Sequence, residues 1–243
     1  MVVHAWGTFI YAPPERRQDD FILLPEEEAH HLRHVLRRQA GAEVFATDGA
    51  GLVYRCAIAD ANRLKITETL PDFGEPPVEI TLVVGVLKGD CNRDIVDYAV
   101  QLGARKIIFA HTIRSEGKLA ANKLDRLKKI AISAIKQCGR ARLPEITVTD
   151  SVAASLRQLD NTACILLAQQ LENINREASH AQTANSGMLV ACVGPEGGFD
   201  ASEIATLQTA GAELVHLGGR RLRTATAVCA MLSYCLGIAG EMN

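Results

Sequence analysis

The residues of this 243-residue chain best suited to chemistry gather near its C-terminus, in two glycine-rich runs. The first is Gly194-Pro195-Glu196-Gly197-Gly198-Phe199. It follows the apolar run Met188 to Val193 and precedes Asp200, with Glu203 three residues on, the pattern of a capped helix start. Glycines between a buried strand and a helix let the backbone approach a ligand closely or adopt positive φ, and the amides at the helix start can hold polar groups. A tight turn needs one glycine, so three in five residues favour a ligand loop. The run is neither a Walker-type phosphate loop nor Gly-x-Gly-x-x-Gly, so neither a nucleoside triphosphate nor a dinucleotide follows from it. The second run, Leu217-Gly218-Gly219-Arg220-Arg221-Leu222-Arg223-Thr224-Ala225-Thr226, again sets glycine after an apolar stretch and before a helix. Loops from consecutive strands of a parallel sheet can line one pocket beyond the strand ends. In the plain structural reading Thr224 is an N-cap and the arginines are surface charge.

A third feature is electrostatic. From Lys118 to Pro144 there are eight basic residues against the single acid Asp125, although the whole chain has a formal net charge of −2. Lys123 to Cys138 has helical spacing, with Leu124, Leu127, Ala131, Ala134, Ile135 and Cys138 on one face. The other carries Arg126, Lys129, Lys136 and, if the helix runs on, Arg140. A charged helix face is most often simply solvated; the scarcity of acids here favours phosphate binding, since lysine and arginine neutralise a nucleic-acid backbone whatever its sequence. The seven cysteines form no Cys-x-x-Cys pair and read as reduced thiols without catalytic duty. His30, His31 and His34 read as packing or RNA-contact residues, and no metal is expected.

These residues need a scaffold. Ile80 to Leu87, Lys106 to Ala110, Ala163 to Ala168, Met188 to Val193 and Glu213 to Leu217 are short apolar runs, mostly separated by helical patterns. They predict an α/β domain with a mostly parallel sheet buried on both faces. Before it, a helix pattern over Glu26 to Arg38, an Asp48-Gly49 hairpin signal and a strand over Arg63 to Thr69 predict a small β-rich domain, a barrel with one helix across it. Breakers concentrate in Leu70 to Pro77, which predicts domains at 1–72 and 78–243 joined by a linker at 73–77. The composition, 48% hydrophobic and 22% charged, is that of an ordinary globular protein. No signal-peptide pattern opens the chain, and the uncharged stretch Thr224 to Gly240 is short for a membrane span, so a cytoplasmic protein without a membrane role is expected.

Gly-Pro-Glu-Gly-Gly-Phe, followed after a helix and strand by Leu-Gly-x-Arg-x-Leu-Arg-Thr, resembles the RsmE-type 16S ribosomal RNA uracil-N3 methyltransferases of the SPOUT class. Other segments resemble it along nearly the whole chain: His30-His31-Leu32-Arg33-His34-Val35-Leu36-Arg37, Lys88-Gly89-Asp90, Arg114-Ser115 and Gln137 to Glu145. The resemblance implies a PUA-like RNA-binding barrel, a SPOUT domain with a deep trefoil knot, and a homodimer acting on 16S rRNA or the small ribosomal subunit. It implies S-adenosyl-L-methionine as cofactor, held by Leu167, Ala168, Gln169, Val193, Gly194, Pro195, Glu196, Gly197, Gly198, Leu217, Gly218, Leu222, Thr224, Thr226 and Ala227. Arg223 is expected to steady developing negative charge or the target nucleotide, and Arg33, Arg37, Arg114, Arg126, Lys129, Lys136, Arg140 and Arg142 are expected to contact RNA. Ala225 stands where the family usually has glutamate, and Tyr98 and Gln101 stand where lysine and glutamate are expected. Competing expectations are a ribose 2′-O methyltransferase of the same class and a non-catalytic RNA-binding protein.

Overall fold

The structure is a computed structural model and describes residues 7–120, 123–169 and 187–242. The chain divides into two units, Met1–Glu75 with Ile132–Leu143, and Pro76–Ala131 with Pro144–Asn243. The first unit is therefore discontinuous, a feature that the reading of the sequence as successive domains does not contain.

The first unit is a six-stranded mixed sheet of β1 (Phe9–Tyr11), β2 (Arg17–Gln18), β3 (Phe21–Leu23), β4 (Glu43–Thr47), β5 (Leu52–Ile58) and β6 (Arg63–Pro71), in the order β1-β4-β5-β6-β3-β2. Only β1 and β4 pair in parallel. The hairpin expected at Asp48-Gly49 joins β4 to β5, and the reason for aspartate is visible: Asp48 Oδ1 accepts from the amides of Ala50, Gly51 and Leu52. One sheet face buries Ile10, Ile22, Val44, Ala46, Tyr54 and Leu64 against Ala29 and Leu32. On the other, the rings of Phe9, Phe45 and Phe73 stack with centroids 5.0 to 6.5 Å apart and cover Val53 and Ala141. The helix expected over Glu26 to Arg38 is shorter. An α-helix, α1 (Glu26–His30), widens into a π-helical turn, His31–Val35, and Arg37 at φ 50° ends it, because a non-glycine residue in the left-handed region cannot continue a helix.

The segment Ile132–Leu143 is laced into this unit. Thr47 Oγ1 donates to the Arg140 carbonyl (2.9 Å), the Ala141 amide to Phe73 (2.9 Å), the Gly51 amide to Ala141 (3.1 Å) and the Leu143 amide to Gly49 (2.8 Å). Three ion pairs reinforce it: Lys136 with Glu28 (2.7 Å), Arg142 with Asp72 (2.6 Å) and Arg140 with Glu75 (2.6 Å). The last pair is buried, with side chains 3% and 8% exposed, and Glu75 also accepts the Arg142 amide. Arg140, expected on an RNA-facing stripe, is thus an internal strut; a guanidinium buried against a carboxylate offers no surface to a phosphate.

The second unit is a six-stranded sheet of β7 (Glu79–Gly85), β8 (Ala104–Ala110), β9 (Glu145–Thr149), β10 (Cys164–Gln169), β11 (Met188–Val193) and β12 (Glu213–His216), in the order β12-β10-β11-β7-β8-β9 with every pairing parallel. Its helices are α2 (Cys91–Gln101), α3 (Leu124–Cys138, which ends in the first unit), α4 (Val152–Leu156), α5 (Ala201–Thr209) and α6 (Thr224–Ile238). Alternate strand residues, among them Val83, Ile108, Leu167, Val190 and Cys192, pack with Val152, Phe199 and Leu207 beside α4 and α5. The residues between them are buried as well, and α2 and α6 contact the sheet at β8, β7 and β11. Burial on both faces is why the strands read as continuous apolar runs. The strand β9 escaped that test because it lies at the edge and alternates, Glu-Ile-Thr-Val-Thr. Burial pushes the thiols of Cys192 and Cys235 up to about 12, which leaves them protonated packing groups. No helix among the described residues is long and apolar enough to cross a membrane.

Removing the guanidinium in Arg140→Ala leaves the Glu75 carboxylate buried without its counter-charge, at a cost of about 3–5 kcal/mol. Denaturant titration is expected to show that loss, and Arg140→Lys is expected to recover part of it.

Candidate functional site

The parallel sheet sets three chain segments side by side at its carboxyl edge. The strand β10 lies between β11 and β12, with Leu167 opposite both Cys192 and Leu214, Ala168 opposite Val215 and Gln169 opposite His216. Val193-Gly194 and Leu217-Gly218 therefore leave their strands level with Ala168 and Gln169. With strands ~4.8 Å apart, three backbone exits fall within about 10 Å. The expected cofactor residues at the ends of β10, β11 and β12 are thus brought to one edge by topology, although nearly fifty residues separate Gln169 from Leu217 in the chain.

The loop after β11 is held from several sides. Its turn is closed by the Gly198 amide donating to the Pro195 carbonyl (2.8 Å), with Gly198 at φ 71°, a conformation that disfavours any side chain. Pro195 is buried against the end of β7, where a Cβ on Gly85 would lie 2.6 Å from the Pro195 nitrogen. Glu196 Oε1 accepts the Lys88 amide (3.3 Å), so this carboxylate is an acceptor for backbone. Arg114 donates to the Gly197 carbonyl (3.1 Å) and pairs with Asp200 (3.4 Å), which gives this expected RNA ligand a structural task in the loop. The expected capping box is present: Asp200 accepts from Ser202, and Glu203 Oε2 accepts the Asp200 amide (2.8 Å) while its Oε1 accepts the Ile113 amide (2.9 Å). The Ser202 amide and hydroxyl hold the Asp200 carboxyl below the ordinary aspartate range, so the cap stays charged.

The second loop differs from expectation at one position. Arg223, not Thr224, is the N-cap of α6 (φ −71°, ψ 153°), and Thr224 is the buried first helical residue. No side chain caps this helix, and no acid stands in its first turn. Leu217, Gly218, Leu222 and Ala227 are half-buried, while Arg223 and Thr226 are exposed. The first-turn amides of this 15-residue helix therefore have no side-chain cap.

The expected basic stripe divides. Arg126 and Lys129 are exposed, with Arg126 only 3.9 Å from the equally exposed Asp90. Lys136 and Arg142 spend their charges on Glu28 and Asp72, and Arg140 is buried. Arg33 and Arg37 are exposed in the first unit. Tyr98 is exposed, and Gln101 donates to Asp97 (2.9 Å). Reading the sequence missed Gly85 and Ile113 as positioning residues; the signal for Gly85 was a glycine interrupting Val-Val-Gly-Val. An open cleft of about 420 Å³ at the ends of β8 and β9, lined by His111, Asp150, Ser151 and Thr206 among others, contains none of the glycine-loop residues.

Comparison with known proteins agrees with this arrangement. Residues 74–236 match the RNA methyltransferase domain family and residues 24–68 the RNA methyltransferase PUA domain family. The ribosomal RNA small subunit methyltransferase E of Synechocystis sp. is 29% identical over 218 residues, covering 88% of this chain and 72% of that protein. The enzyme of the same name from Bacillus subtilis is 27% identical, covering 85% and 86%. Among solved structures, ribosomal RNA small subunit methyltransferase E of Neisseria gonorrhoeae bound to S-adenosyl methionine superposes with a TM-score of 0.80 at 26% identity, over 96% of this chain and 98% of that one. A Legionella pneumophila methyltransferase in complex with the same cofactor gives 0.78 at 25% identity, over 95% and 97%. The sheet order, the paired glycine loops and a family match over two thirds of the chain agree: the protein belongs to the RNA methyltransferase family and has the SPOUT fold of its RsmE-type members.

Proposed function

We propose that the protein is an S-adenosyl-L-methionine-dependent methyltransferase that modifies N3 of a uridine in 16S rRNA of the small ribosomal subunit, acting in the cytoplasm as a homodimer. The observation that carries the cofactor reading is the meeting of the ends of β10, β11 and β12 at one sheet edge beside the uncapped start of α6. The site fits this ligand chemically. Backbone amides without side-chain caps suit ribose hydroxyls and an amino-acid carboxylate, and the half-buried Leu217 and Leu222 supply apolar surface for an adenine ring. The SPOUT class implies a deep trefoil knot in this unit.

When bound, the cofactor supplies a sulfonium methyl group: a nitrogen–carbon bond forms at N3, a sulfur–carbon bond breaks, and the N3 proton is lost. The chain's contribution is placement and charge. Gly194 to Gly198 and Leu217 to Ala227 would hold the donor; Arg223, exposed at the start of α6, would favour the uracil anion. Glu196 already accepts the Lys88 amide, and we assign it no proton transfer. The missing family glutamate at Ala225 leaves α6 without an acid in its first turn, so the cofactor's own polar groups meet uncompensated amides. RNA contact falls to Arg33 and Arg37 in the PUA-type unit and to Arg126 and Lys129 on α3.

Incubation with labelled S-adenosyl-L-methionine and small-subunit RNA, followed by digestion to nucleosides, is expected to give N3-methyluridine. Ribose methylation would replace the reading with another chemistry, and no transfer would make the chain a binding protein. Arg223→Ala is expected to lower the single-turnover rate about 10- to 100-fold with cofactor affinity intact; an unchanged rate removes Arg223 from catalysis. Glu203→Ala, which strips the acceptor from the Ile113 and Asp200 amides, is expected to weaken cofactor binding about 5- to 30-fold by calorimetry.

A further inference from the structure

The first unit carries an exposed knob that its own packing does not explain. After α1 the chain widens through the π-helical turn His31–Val35, with the Leu36 amide donating to His31 and the Arg38 amide to Leu32 (both 2.9 Å). Arg37 then stands at φ 50°, a conformation that costs a non-glycine residue about 1 kcal/mol or more. The result is to present apolar side chains to water: Val35 is 60% exposed and Leu36 37%. Among the described residues these are the exposed large hydrophobic residues of this unit.

Their surroundings are cationic and aromatic. The exposed rings of His30 and His34 lie against each other with centroids 4.7 Å apart. Arg33, anchored through Nε on the Ala29 carbonyl, and Arg37 are exposed beside them, and Arg38 donates to Thr8. From His30 to Ala40 there is no acid. Within this unit Val35, Leu36 and the positive-φ Arg37 thus stand together at one exposed turn.

We infer that this knob is a base-contact element for single-stranded RNA: the tilted His30–His34 imidazole pair and the Val35-Leu36 pair take the faces of one or two unstacked bases, while Arg33 and Arg37 take the flanking phosphates. Unstacked bases are the parts of RNA that apolar and aromatic side chains grip, and the exposed Arg33, Arg37 and Arg38, on the far side of His30 in the chain from Glu26 and Glu27, suit a polyanion. The inference rests on the RNA methyltransferase reading and adds to it the element of the PUA-type unit that engages bases rather than the backbone alone.

The test uses the full chain with naked small-subunit RNA. The double variant Val35→Ser/Leu36→Ser changes exposed positions and no charge; it is expected to weaken RNA binding about tenfold or more with an unaltered salt dependence. Arg33→Gln/Arg37→Gln is expected to lower the slope of log affinity against log salt by about 1.4, two single-strand phosphate contacts. Cofactor affinity by calorimetry is expected to be unchanged in both. Unaltered RNA binding by the serine variant overturns the inference. So does a variant that methylates naked RNA normally but fails on assembled subunits, since its partner would then be a ribosomal protein. If the unsubstituted chain binds RNA without transferring methyl groups, the enzyme reading fails separately, and the binding comparison still decides the knob.

Discussion

The site depends on a steric constraint at the end of β7. Gly85 lies against Pro195 so closely that a Cβ would overlap the proline ring, and this contact sets where the chain goes after β11. The glycine loop is consequently braced rather than free. Glu196 takes the Lys88 amide, Arg114 takes the Gly197 carbonyl, and Glu203 ties the start of α5 to Ile113. Each brace uses a polar group that would otherwise compete for a ligand, so the loop's remaining capacity lies in its backbone and in the bare first turn of α6. Such a loop is organised before its ligand arrives, which lowers the ordering cost of binding.

In the first unit the comparable constraint is electrostatic. Arg140 and Glu75 are both nearly inaccessible, and a buried pair of this kind is tolerable only when its geometry is good and its remaining hydrogen-bonding groups find partners. The Arg142 amide, the Arg142–Asp72 pair and the backbone ladder from Gly49 to Ala141 provide that setting. Of the eight basic residues from Lys118 to Pro144, Lys136, Arg140 and Arg142 are spent on internal ion pairs. Of the residues expected to contact RNA, Arg33, Arg37, Arg114, Arg126 and Lys129 remain exposed.

Much of the architecture was legible in the residues themselves. Apolar runs marked five of the six parallel strands because burial on both faces demands them, and Asp200 with Glu203 marked a helix start because the capping box is a local interaction. Asp48-Gly49 marked its hairpin for the same reason. The paired glycine runs marked two loops that leave the same sheet edge. The edge strand β9 was not legible, since half-burial leaves only an alternating signal, and neither was the early end of the helix after His30, where a widened turn preserves helical spacing in sequence.

What the sequence by itself determined is therefore the set of local elements and the chemical character of the loops, because capping, turn formation and strand burial are decided by neighbouring residues. What only the tertiary structure decided is which of the chemically similar residues remain available. Arg140 and Arg126 are indistinguishable as letters in a basic segment, yet one is buried on Glu75 and the other faces water. The same holds for Val35 and Leu36, which any hydrophobic pattern would assign to a core. Availability depends on long-range packing and on charges distant in the chain, and neither is written in local spacing.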